Sequence, residues 1–296
     1  MYNQITSNKR RSALLMIIFI VLIVALGLVF DLAFYGEGSY VGLSFALMFS
    51  LVSASVSYFQ GDKIALWTNG AKPIAKEANP YLYRLVENLA ITNGTPMPKI
   101  YIIEDPAINA FATGRKPELA SVAVTRGALE QLQNEELEGV LAHELSHIKN
   151  YDIRFMTLVA VMVGAIAILS NIFLRSHNFI GRGGNKRGGG QIMLIFMIVG
   201  IILAILSPLI AELIKLAISR RREYLADASG SLLTRFPEGL ARALEKIRDQ
   251  NQPMAKANQA TAHLFIASPF SGKKISSFFS THPPVDDRIK KLREMA

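Results

Sequence analysis

The sequence contains no cysteine and comparatively few charged residues. Of its 296 residues, 19% are charged, whereas 51% are hydrophobic; typical soluble proteins have about 25% charged residues. The lack of cysteine excludes disulfide bonds and zinc sites made of thiolates. The low charge content, together with the high hydrophobic content, favours a membrane protein over a soluble one.

Features typical of nucleic-acid-binding proteins are also missing. The formal net charge is +9, but no basic stretch is interleaved with aromatic residues, and the chain has neither a zinc-finger nor an RNA-binding signature. We therefore expect no nucleic-acid partner. The positive charge is better explained by lysine and arginine side chains that face the anionic headgroups of membrane lipid.

Four long apolar segments contain no charged residue. They cover residues 13–30, 40–59, 155–174 and 192–211. Each has about the length of the ~18–20 residues that cross a bilayer as a helix. The first is longer than the ~7–15 apolar residues of a signal peptide, and no cleavage site follows it. We therefore predict that it is an uncleaved membrane anchor.

The positions of basic residues predict how the chain is oriented in the membrane. Lys9, Arg10 and Arg11 precede the first segment and belong on the cytoplasmic side. Residues 60–154 then return to the cytoplasm. The connector at 175–190 carries four lysine and arginine residues, and such a basic connector is disfavoured on the outer side of the membrane. A spanning hairpin of the third and fourth segments is favoured, and a re-entrant or shallow hairpin stays open.

The sequence His-Glu-Leu-Ser-His at 143–147 has the pattern H-E-x-x-H. On a helix, residues i and i+4 share a face, so the imidazoles of His143 and His147 can bind one metal ion. Glu144 is rotated by about 100°, which places its carboxylate beside the metal. Zinc lowers the pKa of a water molecule, and a neighbouring carboxylate can take its proton. This pattern predicts a peptidase with one Zn²⁺ per chain.

A catalytic zinc needs a third protein ligand, and Glu223 is the best candidate. Asp227 follows one turn later and is placed to hydrogen-bond a ligating imidazole. Glu245 has an aspartate at the same spacing. However, the third apolar segment follows His147 directly, and the fourth leads directly to Glu223. A hairpin of these segments would bring His147 and Glu223 to the same membrane face, which favours Glu223 and a site near the cytoplasmic surface.

These motifs, with Asn-Ala-Phe-Ala-Thr-Gly at 109–114 and Thr-His-Pro-Pro at 281–284, resemble the HtpX family over nearly the whole chain. HtpX proteins are bacterial membrane-bound stress proteases related to the type-I CAAX prenyl endopeptidases. The resemblance implies a gluzincin-type zinc peptidase in the inner membrane, with a cytoplasmic catalytic domain that degrades misfolded membrane proteins. It also implies protein or peptide substrates and cooperation with other membrane proteases. By resemblance, the metal ligands are His143, His147 and Glu223, and the base is Glu144.

We thus predict a mainly α-helical integral membrane protein with four hydrophobic helices and an α+β peptidase domain containing a small sheet. Two transmembrane helices occupy residues 1–60, and the hydrophobic hairpin occupies 155–214. The peptidase domain is formed by 61–154 and 215–296. The sequence does not predict an oligomeric state.

Further site predictions concern substrate and transition state. Asn109, Ala110, Phe111 and Ala112 match a strand whose exposed edge pairs with the substrate backbone; a turn followed by an ordinary strand is the alternative. His282 is a candidate oxyanion donor or removable ligand, and its alternative is a loop cap before a helix. Tyr224 is another candidate oxyanion donor.

Three other functions are alternatives to that of a quality-control protease. Prenyl-protein processing would give one defined cleavage instead of many. A scaffold with a structural zinc has no use for the carboxylate of Glu144. A zinc transporter would need ionisable ligands inside the membrane, and the four apolar segments contain no histidine, aspartate or glutamate.

Overall fold

Two long apolar helices begin the chain, α1 (Tyr2–Phe34) and α2 (Val41–Thr68). The computed structural model describes residues 2–34, 38, 40–180, 220–256, 258–270 and 283–295. Within α1 and α2, Gln4–Leu32 and Val41–Thr68 are long and apolar enough to cross a membrane. Many of their large apolar side chains stay more than half exposed. Such a surface is stable in contact with lipid, not with water.

The two helices form an antiparallel hairpin held by a polar cap and a close backbone contact. The carboxylate of Asp31 accepts hydrogen bonds from the backbone N–H groups of Gly42 and Leu43, both at 2.8 Å. These are free donors at the start of α2, and a carboxylate satisfies them well. A Cβ atom on Gly27 would lie 2.5 Å from the Cβ of Ala46. Glycine is therefore required where the two helices meet.

A four-stranded mixed sheet follows. It consists of β1 (Ala71–Pro73), β2 (Lys99–Ile103), β3 (Ala110–Thr113) and β4 (Ser121–Thr125), in the order β1-β2-β4-β3. Strands β2 and β4 are parallel, and the other pairs are antiparallel. Strand β3 is therefore an edge strand of this sheet. Helix α3 (Pro80–Asn93) lies between β1 and β2 in the chain.

Helix α5 (Asn134–Lys149) forms the centre of the polar domain, preceded by the short α4 (Arg126–Gln131). Twelve of the sixteen residues of α5 are buried. It packs against α3 and β3 and against two later helices, α7 (Arg220–Thr234) and α8 (Pro237–Gln250). Because neighbours cover it on several sides, its position is fixed more firmly than that of a surface helix.

Two glycines permit the close approach of α7 and α8 to α5. A Cβ atom on Gly230 would lie 2.9 Å from the backbone nitrogen of His143. A Cβ atom on Gly139 would lie 2.7 Å from the backbone nitrogen of Leu240. The last helix, α9 (Val285–Arg293), packs on α8 and α7. The carboxyl-terminal helices therefore lie directly on the helix that carries H-E-x-x-H.

A sharp bend separates α5 from α6 (Asp152–Ile180). The helix axes differ by 86°, and Tyr151 between them has a φ of 61°. The expectation that the helix of His147 runs directly into the third apolar segment is therefore wrong. A non-glycine residue in the left-handed region costs energy and needs support from its surroundings.

The prediction of four hydrophobic helices is met only in part. The first two segments lie in α1 and α2, the two candidate spans. The third segment lies in α6, and the bent pair of α5 and α6 would be a third span if the pair crosses the membrane as one. The fourth segment, 192–211, lies outside the described residues. The chain is therefore a mostly helical protein with two candidate membrane spans and a small mixed sheet.

Candidate metal centre

Two histidines of α5 and one glutamate of α7 meet in the interior. His143, His147 and Glu223 are each at most 3% exposed, and their ligand atoms all lie within 4.8 Å of one another. The Nε2 atoms of the two histidines are 3.2 Å apart. The carboxylate oxygens of Glu223 lie 3.8 Å from Nε2 of His143 and 3.7 Å from Nε2 of His147.

These distances fit the coordination of one divalent metal ion. Ligand atoms at ~2.0–2.1 Å from a tetrahedral zinc are about 3.3 Å from each other. The observed separations of 3.2 to 3.8 Å surround that value. Two imidazoles and one carboxylate leave a fourth position for water or substrate, which distinguishes a catalytic site from a structural one.

The outer nitrogen of His143 faces a carboxylate that is itself held by an arginine. Nδ1 of His143 lies 2.9 Å from Oδ1 of Asp227. The guanidinium of Arg288 binds both oxygens of Asp227, at 2.9 and 2.7 Å. Burial alone would raise the pKa of Asp227, but Arg288 and His143 hold it well below its ordinary value. Asp227 is therefore anionic and fixes the orientation of the imidazole.

The outer nitrogen of His147 has an equivalent pair of partners. Nδ1 of His147 lies 3.0 Å from Oδ2 of Asp152, and Oδ1 of Asp152 lies 3.1 Å from Nε of Arg222. Burial by itself would lower the pKa of His147, but the carboxylates of Asp152 and Glu223 raise it to about 9. A bound cation would lower it again.

Sequence reasoning missed Asp152 and Arg222. Asp152 follows His147 by five residues, a spacing that does not share a face in a continuous helix. Only the bend at Tyr151 brings the two together. Arg222 lies in a run of three arginines, and nothing in the run distinguishes the buried one. Asp152 could be assigned as the partner of His147 only if the bend at Tyr151 were predictable from the sequence.

Glu144 lies on the same helix and is 1% exposed. Burial raises the pKa of its carboxyl to about 8, opposed by His147 and by the backbone N–H of Ala112. A bound cation would return this carboxyl to its anionic form, because positive charge stabilises a carboxylate. Among the described residues, Oε1 of Glu144 has no hydrogen-bond partner. That oxygen is available to accept a proton.

The strand predicted to pair with substrate is β3, together with the residue before it. It does lie at the edge of the sheet, but the expectation of an exposed edge is wrong. Residues 109–112 are all at most 3% exposed. A segment that follows a 3₁₀ turn at Ala262–Leu264 covers the first three of them, and the side-chain amide of Asn109 donates to the carbonyl of Ala267 in this segment at 3.1 Å. The backbone N–H of Ile266 donates to the carbonyl of Ala110 at 3.0 Å, and Phe265 pairs with Phe111.

The remaining predicted site residues are less closely associated with the centre. Tyr224 is half-buried, and Nζ of Lys291 lies 3.4 Å from the centre of its ring. His282 lies outside the described residues. Glu245 pairs with Arg293 near the surface at 2.8 Å. Within the described part of the chain, the group that could hold a metal ion is the one that contains Glu223.

Fold and site together define a class of protein, a metallopeptidase held in a membrane. The family model of peptidase family M48 matches residues 76–296. The chain belongs to that family. This assignment accounts for the buried pair of histidines, since a family of metallopeptidases implies a bound metal.

Curated relatives match over the whole length. A "Protease HtpX homolog" of Dictyoglomus turgidum is 45% identical over 294 residues, which cover 99% of this chain and 94% of that protein. Proteins of the same description are 42% identical in Caldanaerobacter subterraneus (100% and 98% covered) and 43% identical in Lactobacillus acidophilus (100% of both). The resemblance to HtpX proteases is thereby confirmed.

Among solved structures, the fold is similar to that of Ste24p from S. mikatae. The TM-score is 0.53 at 19% sequence identity, and the match covers 99% of this chain and 67% of the other. At this identity the likeness concerns the fold. The chain is thus a membrane metalloprotease with an M48 peptidase fold.

Proposed function

We propose that this protease uses zinc to hydrolyse misfolded or damaged membrane proteins at the cytoplasmic face of the bacterial inner membrane. The observation that carries the proposal is the spacing of His143, His147 and Glu223 beside the buried carboxylate of Glu144. The curated relatives named HtpX homologs support it. Multi-pass insertion is supported by the two apolar helices at the amino terminus.

The peptidase domain is assembled from two parts of the chain, 61–154 and 215–296. Its main apolar core contains residues of both parts, including Leu82, Leu141, Leu244 and Leu292. The hydrophobic helix α6 leaves this domain immediately beyond the metal centre. The centre therefore lies close to the membrane surface, where loops of membrane proteins and segments drawn from the bilayer are accessible.

The roles of the residues follow from their positions. When bound, zinc supplies a Lewis acid and a water of lowered pKa. His143, His147 and Glu223 would hold it, while Asp227 and Asp152 keep the imidazoles oriented. Glu144 takes the proton of the attacking water and delivers it to the leaving amine.

Substrate would bind along Asn109, Ala110, Phe111 and Ala112. Backbone pairing with this edge recognises any extended chain, which suits a protease of broad specificity. The covering segment around Phe265 must move away for such pairing. Tyr224 and His282 remain our candidate donors to the developing oxyanion.

The decisive experiment compares wild-type protein with Glu144→Gln, both purified in detergent with chelator and then reloaded with zinc. We expect about one zinc in each and cleavage of an unfolded membrane protein by the wild type alone. Glu223→Ala should lose zinc, while the matched variant Glu245→Ala should keep it. Zinc binding without cleavage of any of several substrates by the wild type would favour a scaffold.

A map of the cleavage products separates the two protease functions. Quality control predicts many cleavages in varied substrates. Prenyl-protein processing predicts one defined cleavage near a carboxyl terminus. Mass spectrometry of the peptides released from one unfolded substrate decides between them.

A further inference from the structure

The amino-terminal membrane helix reaches the metal centre through one buried side chain. Asn8 of α1 is 4% exposed. Its Nδ2 donates to Oδ1 of Asp152 at 2.6 Å and to the backbone carbonyl of Asn150 at 2.9 Å. The other oxygen of Asp152 contacts His147. A single carboxylate therefore separates Asn8 from a candidate metal ligand.

The same amide also contacts the element that carries Glu223. Nη2 of Arg222 donates to Oδ1 of Asn8 at 3.2 Å, and Nε of Arg222 reaches Asp152. Arg222 directly precedes Glu223 in α7. Both donors of the Asn8 amide and its carbonyl oxygen are thus engaged, and these three bonds hold the side chain in one orientation. Asn8 joins α1, α6 and α7 at one point.

Residues 8 and 9 also support the bend between α5 and α6. Nζ of Lys9 lies 4.4 Å from the centre of the Tyr151 ring, and Asn8 binds the carbonyl of the residue before Tyr151. A non-glycine residue in the left-handed region is strained and persists only where neighbours enforce it. The bend in turn is what places Asp152 against His147.

We infer that α1 is a component of the metal centre as well as a membrane anchor. Asn8 is a positioning residue that holds Asp152 in place, and through Asp152 it fixes the orientation of the His147 imidazole. Displacement of the amino-terminal end of α1 would release this carboxylate and weaken metal binding. The inference rests on the metal ligands assigned in the proposed function.

The test uses the full chain in detergent with Asn8→Ala and the nearly isosteric Asn8→Asp. Asn8→Asp keeps the acceptor for Arg222 but places an oxygen against the carboxylate of Asp152. The matched control is Ser12→Ala, one turn further along α1, where a buried hydroxyl donates to the carbonyl of Asn8 within the helix. Zinc affinity is measured by competition with a chelator, and the visible absorption spectrum is recorded after loading with Co²⁺.

We expect zinc affinity to fall ten- to a hundredfold in both Asn8 variants, the range found for residues that orient metal ligands. The Co²⁺ absorption bands should shift in whichever variant folds, since they report the geometry around the ion. Ser12→Ala should stay within about twofold of the wild type in affinity and keep its spectrum.

Two results would overturn the inference. One is wild-type affinity and spectrum in the Asn8 variants. The other is an equal loss in Ser12→Ala, because general damage to α1 would then suffice. If the wild-type protein itself binds neither zinc nor Co²⁺, the proposed function fails instead, so the two failures are distinguishable.

Discussion

Each candidate metal-ligating histidine lies at the end of a short chain of alternating charges. His143 contacts Asp227, which binds Arg288, and His147 contacts Asp152, which binds Arg222. Both arginines are buried, Arg288 completely. A carboxylate that orients an imidazole is itself costly to bury, and each guanidinium offsets this cost. The chemistry of the centre thus depends on residues that touch neither metal nor substrate.

The first residue-scale prediction concerns Arg288. In Arg288→Ala, Asp227 stays buried without its cation, so we expect a loss of about 3–5 kcal/mol in the free energy of unfolding and weaker zinc binding. The control Arg242→Ala breaks an exposed pair with Glu238 and should cost at most about 1 kcal/mol. Thermal and denaturant unfolding in detergent measures both. Equal losses in the two variants would contradict this account.

A second residue-scale prediction concerns His263, which is 2% exposed and has its Nε2 2.9 Å from the carbonyl of Met156. Burial lowers the pKa of His263 to about 4, although the Met156 carbonyl opposes this shift. In the unfolded chain the pKa is near ~6.5. Between these values the unfolded state binds more protons, so stability falls as the pH falls from about 6.5 to 4, by at most about 3 kcal/mol.

The variant His263→Gln retains a hydrogen-bond donor and removes the titrating group. Its melting temperature should therefore depend less on pH in this window than that of the wild type. A variant that loses stability with the same pH profile as the wild type would show that His263 is not the group responsible.

The sequence predicts which residues of the centre share a helical turn, but not which side chains from distant parts of the chain contact them. His143, Glu144 and His147 follow from helical spacing alone, and the turn from Glu223 to Asp227 follows in the same way. Asn8 and Arg288 could not be found, because their partners are 144 and 61 residues away. No local pattern records such a pairing.

At the scale of elements, the polar domain is organised around the burial of α5. Helices α3 and α8 carry apolar residues at helical spacing, and β2 and β4 are short runs rich in β-branched residues, so the sequence indicates these four elements. The short β1 and α4 were missed, because three and six residues carry too little periodicity. The cover over β3 was missed because it comes from a segment about 150 residues later.

The element-scale prediction concerns this cover. The rings of Phe111 and Phe265 meet edge to face at 4.9 Å across an antiparallel bridge. Paired positions of this kind suit a disulfide, and the chain has no other cysteine. The double variant Phe111→Cys with Phe265→Cys should lose cleavage when oxidised and regain it on reduction.

The two single cysteine variants are the controls, since neither can form the intramolecular bridge. A peptide-cleavage assay with and without reductant makes the comparison. If the oxidised double variant cleaves as fast as the reduced one, substrate does not pair with the covered part of β3.

At the scale of the whole molecule, exposed apolar helices and a buried polar centre share one chain. The lipid-facing surface of α1 and α2 fixes the depth of the molecule in the bilayer, and α6 leaves the centre at a right angle to α5. The positive residues Lys9, Arg10 and Arg11 in the first turns of α1 predict that the amino-terminal end of this helix is cytoplasmic. The peptidase domain would then lie on the same side.

Because the chain lacks cysteine, this orientation can be tested with single introduced thiols. Tyr40 precedes α2 and is 64% exposed, and Glu118 lies in the peptidase domain with a side chain 55% exposed. In spheroplasts, a membrane-impermeant maleimide should label Tyr40→Cys directly and Glu118→Cys only after the membrane is disrupted. The reverse pattern would place the peptidase domain outside.

The link between Asp227 and Arg288 also has a consequence for how the enzyme is made. Ribosomes add roughly 5–20 residues per second, so H-E-x-x-H emerges well before α9 does. Until Arg288 arrives, Asp227 lacks its cation and the imidazole of His143 lacks a firm support. A nascent chain is thus a peptidase without a finished centre. The order of synthesis therefore delays the onset of proteolysis until α9 and its Arg288 have joined the metal centre.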